Sequence, residues 1–227
     1  MSCRVNIILD LDNTLIHTIS TLDLKKIPPQ SQAKFRRQRW KQEEQLMTFE
    51  RPHLQQFLTY LFSNFNVGVY TMGTKEYAKE IVDRFVLCVP GRRLDFILHR
   101  GNFIESSKMF PGTFKDLRYI WNVIRPYGYY KYNTFIIDDN LYVQETNRQN
   151  TLCIEPFDLF RGNKYNAYAP VDTALVTCMK ILKVLKRLYY TNECAIHSNN
   201  KNQCQKVYTE VSKNLPKIIH CSGVFSV

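Results

Sequence analysis

Four aspartates stand where their spacing could do acid chemistry. The run Val5-Asn6-Ile7-Ile8-Leu9 ends in Asp10-Leu11-Asp12-Asn13-Thr14, and the run Asn133-Thr134-Phe135-Ile136-Ile137 ends in Asp138-Asp139-Asn140. An apolar run of this length, cut off by carboxylates, reads as a buried strand delivering charge to its own tip. Strand side chains alternate between faces, so Asp10 and Asp12 project the same way while Leu11 turns into the core. Asn13 then bends the chain, and Thr14 stands where it would cap the next element. Carboxylates this close repel unless a cation lies between them, and oxygen donors of this kind suit a hard divalent ion such as Mg²⁺. Two further residues fit the same chemistry. Thr71 closes a third apolar run, Phe65–Tyr70, and Lys115 falls in the first turn of a helix predicted from Phe114. A lysine there opposes the helix dipole and draws an anionic group to the spot.

The elements needed to bring these residues together are legible as periods. Leu54, Phe57, Leu58, Leu61 and Phe62 form a helical stripe, opened by Glu50-Arg51-Pro52-His53 with Pro52 in the first turn. Tyr77, Ile81 and Phe85 predict a second helix, and Leu117, Ile120, Trp121 and Ile124 a third. Leu175, Cys178, Met179, Leu182, Leu185 and Tyr189 predict a long one over 172–190. Leu94, Phe96 and Leu98 alternate as a short strand, with a looser segment from His99-Arg100-Gly101-Asn102 to Gly112, and Thr151–Ile154 is a last strand. Strands alternating with helices imply an α/β fold, a parallel sheet with helices on both faces. Such sheets bind ligands outside the carboxyl ends of their strands. Asp10, Asp12, Thr71, Asp138 and Asp139 all lie at such ends.

Composition narrows the partners. The chain has 227 residues, enough for one large domain, and 31 Lys and Arg against 20 Asp and Glu give a net charge of +11. That balance favours anionic partners, phosphorylated protein or nucleic acid. The most basic stretch is an apparent insertion at 20–48, read as a solvated, partly helical loop after Pro28-Pro29. It carries Arg36, Arg37 and Arg39, which are placed to touch a substrate held at the carboxylates. The seven cysteines include no Cys-x-x-Cys pair and read as reduced thiols, which suits the nucleus or cytoplasm. No leader is expected before a strand that starts by residue 5, and no apolar run reaches membrane-spanning length. Gly68–Lys75 lacks the Gly-Lys-Ser/Thr order of a nucleotide phosphate loop. Residues 1–191 therefore read as one catalytic domain. Residues 192–227 read as a polar extension in which a weak helix spans Val207–Lys213, and Cys194, His197, Cys204, His220 and Cys221 match no zinc-ligand spacing.

The motifs, in order, resemble the haloacid dehalogenase (HAD) superfamily: Asp10-Leu11-Asp12-Asn13-Thr14, then Thr71, Lys115 and Asp138-Asp139. Glu50-Arg51-Pro52-His53, Tyr70-Thr71 with Tyr77-Ala78, His99-Arg100-Gly101-Asn102 and Lys115-Asp116-Leu117 narrow the resemblance to the FCP/SCP class of phosphatases that act on the RNA polymerase II C-terminal domain. The resemblance covers roughly residues 5–190. It implies a HAD-like Rossmannoid sheet and a phosphoserine/phosphothreonine phosphatase working through an aspartyl-phosphate on Asp10. Asp12 would be acid and base, Thr71 and Lys115 would hold phosphoryl oxygens, and Mg²⁺ would be held by Asp10, the Asp12 carbonyl, Asp138 and Asp139. The compact, basic, Asn-rich chain is also similar to phosphatase-like proteins of large insect DNA viruses, including a baculovirus relative associated with nucleocapsid assembly, which would make a virion-associated scaffold the alternative role. A phosphatase for nucleic-acid ends is the other.

Overall fold

The computed structural model describes residues 4–39, 45–191 and Thr209. Five parallel strands form the central sheet: β1 (Asn6–Leu9), β5 (Asn66–Tyr70), β6 (Ile97–Leu98), β7 (Thr134–Asp138) and β8 (Thr151–Cys153), in the order β6-β5-β1-β7-β8. β1 is central, with Leu9 in register with Val69 on one side and Ile137 on the other. Its apolar run follows from burial on both faces. Ile7 and Leu9 pack into the core shared with α2 (Leu54–Asn64) and α7 (Ala174–Thr191), while Ile8 packs on the opposite face with Leu117, Ile120 and Val143. α2 buries Leu54, Phe57, Leu58 and Leu61. Each such side chain contributes on the order of 2 kcal/mol, so the predicted stripe accounts for the docking of that helix. The expected α/β fold with helices on both faces is present.

Several local expectations are corrected. The insertion is not a loop. β2 (Ile16–Ser20), β3 (Arg37–Arg39) and β4 (Leu46–Glu50) form an antiparallel sheet in the order β2-β4-β3, with the one-turn helix α1 (Pro29–Gln32) between β2 and β3. Ile19, Ile27, Phe35, Met47 and Phe49 give it a core of its own, shared with Phe157 and Leu159. Residues 40–44 of the basic stretch lie outside the described residues. The helix expected from Glu50 begins only at Leu54, because Glu50 ends β4 and His53 takes a left-handed backbone with φ +67°. α3 (Lys75–Ile81) follows β5 and continues as a π-helical turn through Val86. The segment read as loose before Gly112 contains α4 (Arg100–Met109), capped by His99 and Asn102 in a reciprocal pair. The third predicted helix does not start at Phe114. α5 spans Leu117–Tyr119, capped by Asp116, and runs on as a π-helical turn to an exposed Ile124. α6 (Leu141–Thr146) links β7 to β8, and β9 (Phe160–Arg161) pairs with β10 (Lys164–Tyr165) in a small hairpin. Apart from Thr209, residues 192–227 lie outside the described residues, and with them the helix expected at Val207–Lys213 and the cysteines and histidines of that extension. Among the described residues no helix is long and apolar enough to cross a membrane.

Arg51 ties these layers together. It is wholly buried; Nε and Nη2 donate to Asp172 at 3.0 and 2.9 Å, Nη1 to the Thr14 carbonyl at 3.0 Å and Nη2 to the Glu155 carbonyl at 2.7 Å. One planar cation thus joins the loop after β1, the segment after β8 and the approach to α7, a geometry that the guanidinium fork suits. Removing it takes the guanidinium from Asp172 and from the Thr14 and Glu155 carbonyls, leaving Asp172 with the Ala174 amide at 3.0 Å. Arg51→Met should lower the unfolding free energy by about 3 kcal/mol, visible as a fall in the denaturant midpoint at unchanged slope; a change under ~0.5 kcal/mol would mean that the clamp is not structural.

Candidate active site

The site lies at the carboxyl ends of β1, β5 and β7. Asp10 follows β1 directly and its amide continues the ladder to the Ile137 carbonyl at 3.0 Å. Leu11 is buried, as the strand alternation requires. The loop then closes tightly, Leu15 N on Leu11 O at 2.8 Å and Asn13 N on Ile16 O at 2.7 Å, with Asn13 left-handed at φ +58°. Asn tolerates that region better than other non-glycine residues. Thr14 caps no helix here. Its hydroxyl donates to Asp139 Oδ1 at 2.8 Å and accepts from the Asp139 amide at 3.2 Å, locking the loop after β1 to the end of β7.

Lys115 provides the organising charge. Its Nζ donates to Asp10 Oδ1 at 2.5 Å and to Asp138 Oδ2 at 2.7 Å, and all three side chains are buried. Lys115 is not in the first turn of a helix but two residues before one, with φ +45°. That conformation costs a non-glycine residue of order 1 kcal/mol and persists only where neighbours fix it. Asn147 fixes it: its Oδ1 accepts from the Leu117 amide at 3.0 Å while its Nδ2 donates to the Lys115 carbonyl at 3.2 Å. Thr146 takes the Phe114 amide at 2.9 Å. Burial works against the Lys115 ammonium, but Asp10 and Asp138 together outweigh it and hold its pKa above the usual lysine range.

Burial and the charge of Asp10 push Asp138 up to about 7, against the pull of Lys115. Asp138 Oδ1 also accepts from the Asn140 amide at 2.9 Å. Asp12, half-buried, accepts at Oδ1 from the Tyr77 hydroxyl, and burial carries it up to about 6 in spite of that hydrogen bond. Asp139 is raised by burial and by Asp10, and lowered by Thr14. Thr71, wholly buried at the end of β5, bonds through its amide to the Leu98 carbonyl at 2.9 Å and accepts from the Gly73 amide at 3.0 Å.

Oxygens of Asp10, Asp138 and Asp139 lie within 4.8 Å of one another. Three carboxylates face a single lysine, and hard oxygen donors with excess negative charge fit a small divalent cation. The Asp12 side chain is not among them. Of the three arginines expected near a substrate, Arg36 donates to Glu50 at 2.8 Å and to the Arg84 carbonyl at 3.2 Å, and Arg37 donates to the Gln32 carbonyl. Arg39 pairs through its backbone with Met47. No site role was legible in the sequence for Tyr77, Asn140 or Asn147. Only Asn140, an amide directly after the carboxylate pair and before a helix, carried a capping signal.

The profile of the NLI interacting factor-like phosphatase family matches residues 5–193. The chain belongs to that family. Among relatives of this phosphatase, the CTD phosphatase-like protein 355R of Invertebrate iridescent virus 3 is 34% identical over 190 residues, covering 79% of this chain and 96% of that protein. The 355R protein of Invertebrate iridescent virus 6 is 34% identical over 155 residues, covering 67% and 85% respectively. In fold, the chain is similar to the fission yeast RNA polymerase II CTD phosphatase Fcp1 solved with beryllium fluoride, at a TM-score of 0.52 and 20% identity over 99% of this chain and 68% of that one. The expected FCP-type family is therefore confirmed, and the viral likeness is met by iridescent-virus proteins.

If the carboxylates take a cation, Mg²⁺ at about a hundred times its Kd should stabilise the native chain by about 2.7 kcal/mol, and Asp138→Asn should lose most of that gain in a thermal melt. Equal stabilisation of both would place the ion elsewhere.

Proposed function

We propose that this phosphatase hydrolyses phosphoserine and phosphothreonine in proteins, with Asp10 as nucleophile and Mg²⁺ as cofactor. The observation that carries the reading is the buried Lys115 ammonium set against Asp10 and Asp138 at the tip of a parallel sheet. It supplies fixed positive charge beside a carboxylate, where a transferring phosphoryl group develops negative charge. A carboxylate oxygen of Asp10 attacks phosphorus as the bond to the serine or threonine oxygen breaks, leaving an aspartyl-phosphate. Asp12, whose raised pKa of about 6 keeps a proton within reach, gives that proton to the departing oxygen. It then takes a proton from the water whose oxygen attacks phosphorus, releasing inorganic phosphate and the free Asp10 carboxylate. Thr71 and Lys115 hold phosphoryl oxygens throughout. Asp10, Asp138 and Asp139, with the Asp12 carbonyl, would hold Mg²⁺, which when bound adds positive charge at the phosphoryl oxygens.

The relatives support a protein substrate: two are CTD phosphatase-like proteins and one is an RNA polymerase II CTD phosphatase. Arg37 and Arg39, on the edge strand of the insertion sheet, are proposed to meet the acidic substrate. Arg36 contributes less, because its guanidinium is shared with Glu50. The net charge of +11 also suits a phosphorylated nucleic-acid end, so a 3′-phosphorylated oligonucleotide belongs in the same assay. Phosphate release from p-nitrophenyl phosphate and a phosphoserine peptide should need Mg²⁺ and fall by about 10⁴-fold or more in Asp10→Asn. Retention of a tenth of the activity by that variant would remove Asp10 from the nucleophile's role, and faster turnover of the oligonucleotide than of the peptide would reassign the substrate.

A further inference from the structure

Tyr77 bonds to Asp12 from α3, 65 residues along the chain, and no part of the chemistry above requires it. Its placement is built from both sides. Thr74 caps α3 and accepts from the Tyr77 amide at 3.2 Å, which sets the first turn. Gly73 then makes room, since a Cβ at that position would stand 2.4 Å from Tyr77 Cδ1. The tyrosine ring and a side chain at position 73 exclude one another.

The hydroxyl of Tyr77 is also part of a chain. It meets Thr18 Oγ1 at 2.9 Å, and Thr18 Oγ1 meets Thr48 Oγ1 at 2.8 Å, the two threonines being register partners in β2 and β4. Hydrogen inventory fixes the direction. An ionised carboxylate only accepts, and a phenol has one hydrogen. With Asp12 ionised, Tyr77 therefore spends its hydrogen on Asp12 Oδ1, Thr18 must donate to Tyr77, and Thr48 must donate to Thr18. Thr18 and Tyr77 each accept one hydrogen bond and donate the next, which polarises the last bond in the series. Among the described residues Asp12 Oδ2 has no such partner.

We propose that Tyr77 is a positioning residue for the proton-transfer steps: it holds Asp12 by Oδ1, so that Oδ2 is the oxygen that gives and takes the proton. The insertion sheet thereby reaches the catalytic acid through Thr18 and Thr48. The inference rests on the phosphatase reading, and on Asp12 as its acid.

The test uses the full chain with Mg²⁺ and reads kcat/KM, which reports the steps through leaving-group departure. p-Nitrophenyl phosphate needs little protonation of its leaving group, whereas phenyl phosphate, with a more basic phenol, needs more. Tyr77→Phe keeps the ring and removes the hydroxyl. Its loss of kcat/KM should be about tenfold greater on phenyl phosphate than on p-nitrophenyl phosphate. Gly73→Ala, which displaces the ring, should show the same bias, and Thr18→Val, which keeps its shape, a smaller bias of about threefold. In an Asp12→Asn background the Tyr77→Phe change should add no leaving-group bias. Equal losses on both esters, or no loss, would overturn the role of Tyr77 while leaving the phosphatase intact. A folded native chain that turns over neither ester would instead overturn the phosphatase reading, and this inference with it.

Discussion

A buried ammonium between two buried carboxylates is the interaction around which the site is built. Asp10 and Asp138 end neighbouring strands, so parallel pairing of β1 with β7 forces their side chains together. Without a cation that juxtaposition is repulsive and dry, and removing one member of a buried charge pair costs far more than the pair contributes. Lys115 resolves the repulsion of one pair, but not the third carboxylate, Asp139. The residual negative charge is what fits the same cluster to a divalent cation. The proposed cation binding and phosphoryl chemistry therefore draw on the same electrostatic arrangement that holds the fold together at this point.

Around that centre the chain spends buried polar groups on position. Asn147 holds Lys115 in a backbone conformation that lysine does not favour, Thr14 joins the loops after β1 and β7, and Arg51 anchors the first of these loops from beneath. Each is paired within the protein, as buried polar groups must be. The insertion sheet is part of the same scaffold, because its threonines meet Tyr77 and its apolar face packs on Phe157 and Leu159.

Much of this was legible in the sequence, and the exceptions share a cause. Asp10, Asp12, Thr71, Asp138 and Asp139 were readable because each ends an apolar run, and a parallel strand buried on both faces leaves that mark. The amphipathic helices α2 and α7 declared themselves by period. α4 did not, since only Ser106 among its residues is buried and no apolar stripe exists to be read. The insertion hid its strands for a similar reason. Met47 and Phe49 alternate in β4, but β3 is Arg-Gln-Arg, and a short polar edge strand has the composition of a loop. Lys115 was found but misplaced, because its geometry is set by Asn147, 32 residues on, and local propensity carries no trace of that contact. Tyr77 was read as a helix-face residue for the same reason.

Whether Asp10 carries the phosphoryl group decides between this chemistry and any other at the same cluster. Acid quenching during turnover with Mg²⁺, then digestion and mass spectrometry, would read the answer from the protein itself. A phosphoryl group should be found on the peptide containing Asp10, sensitive to hydroxylamine and absent from Asp10→Asn. Rapid phosphate release with no protein adduct, or an adduct on another residue, would contradict the assignment.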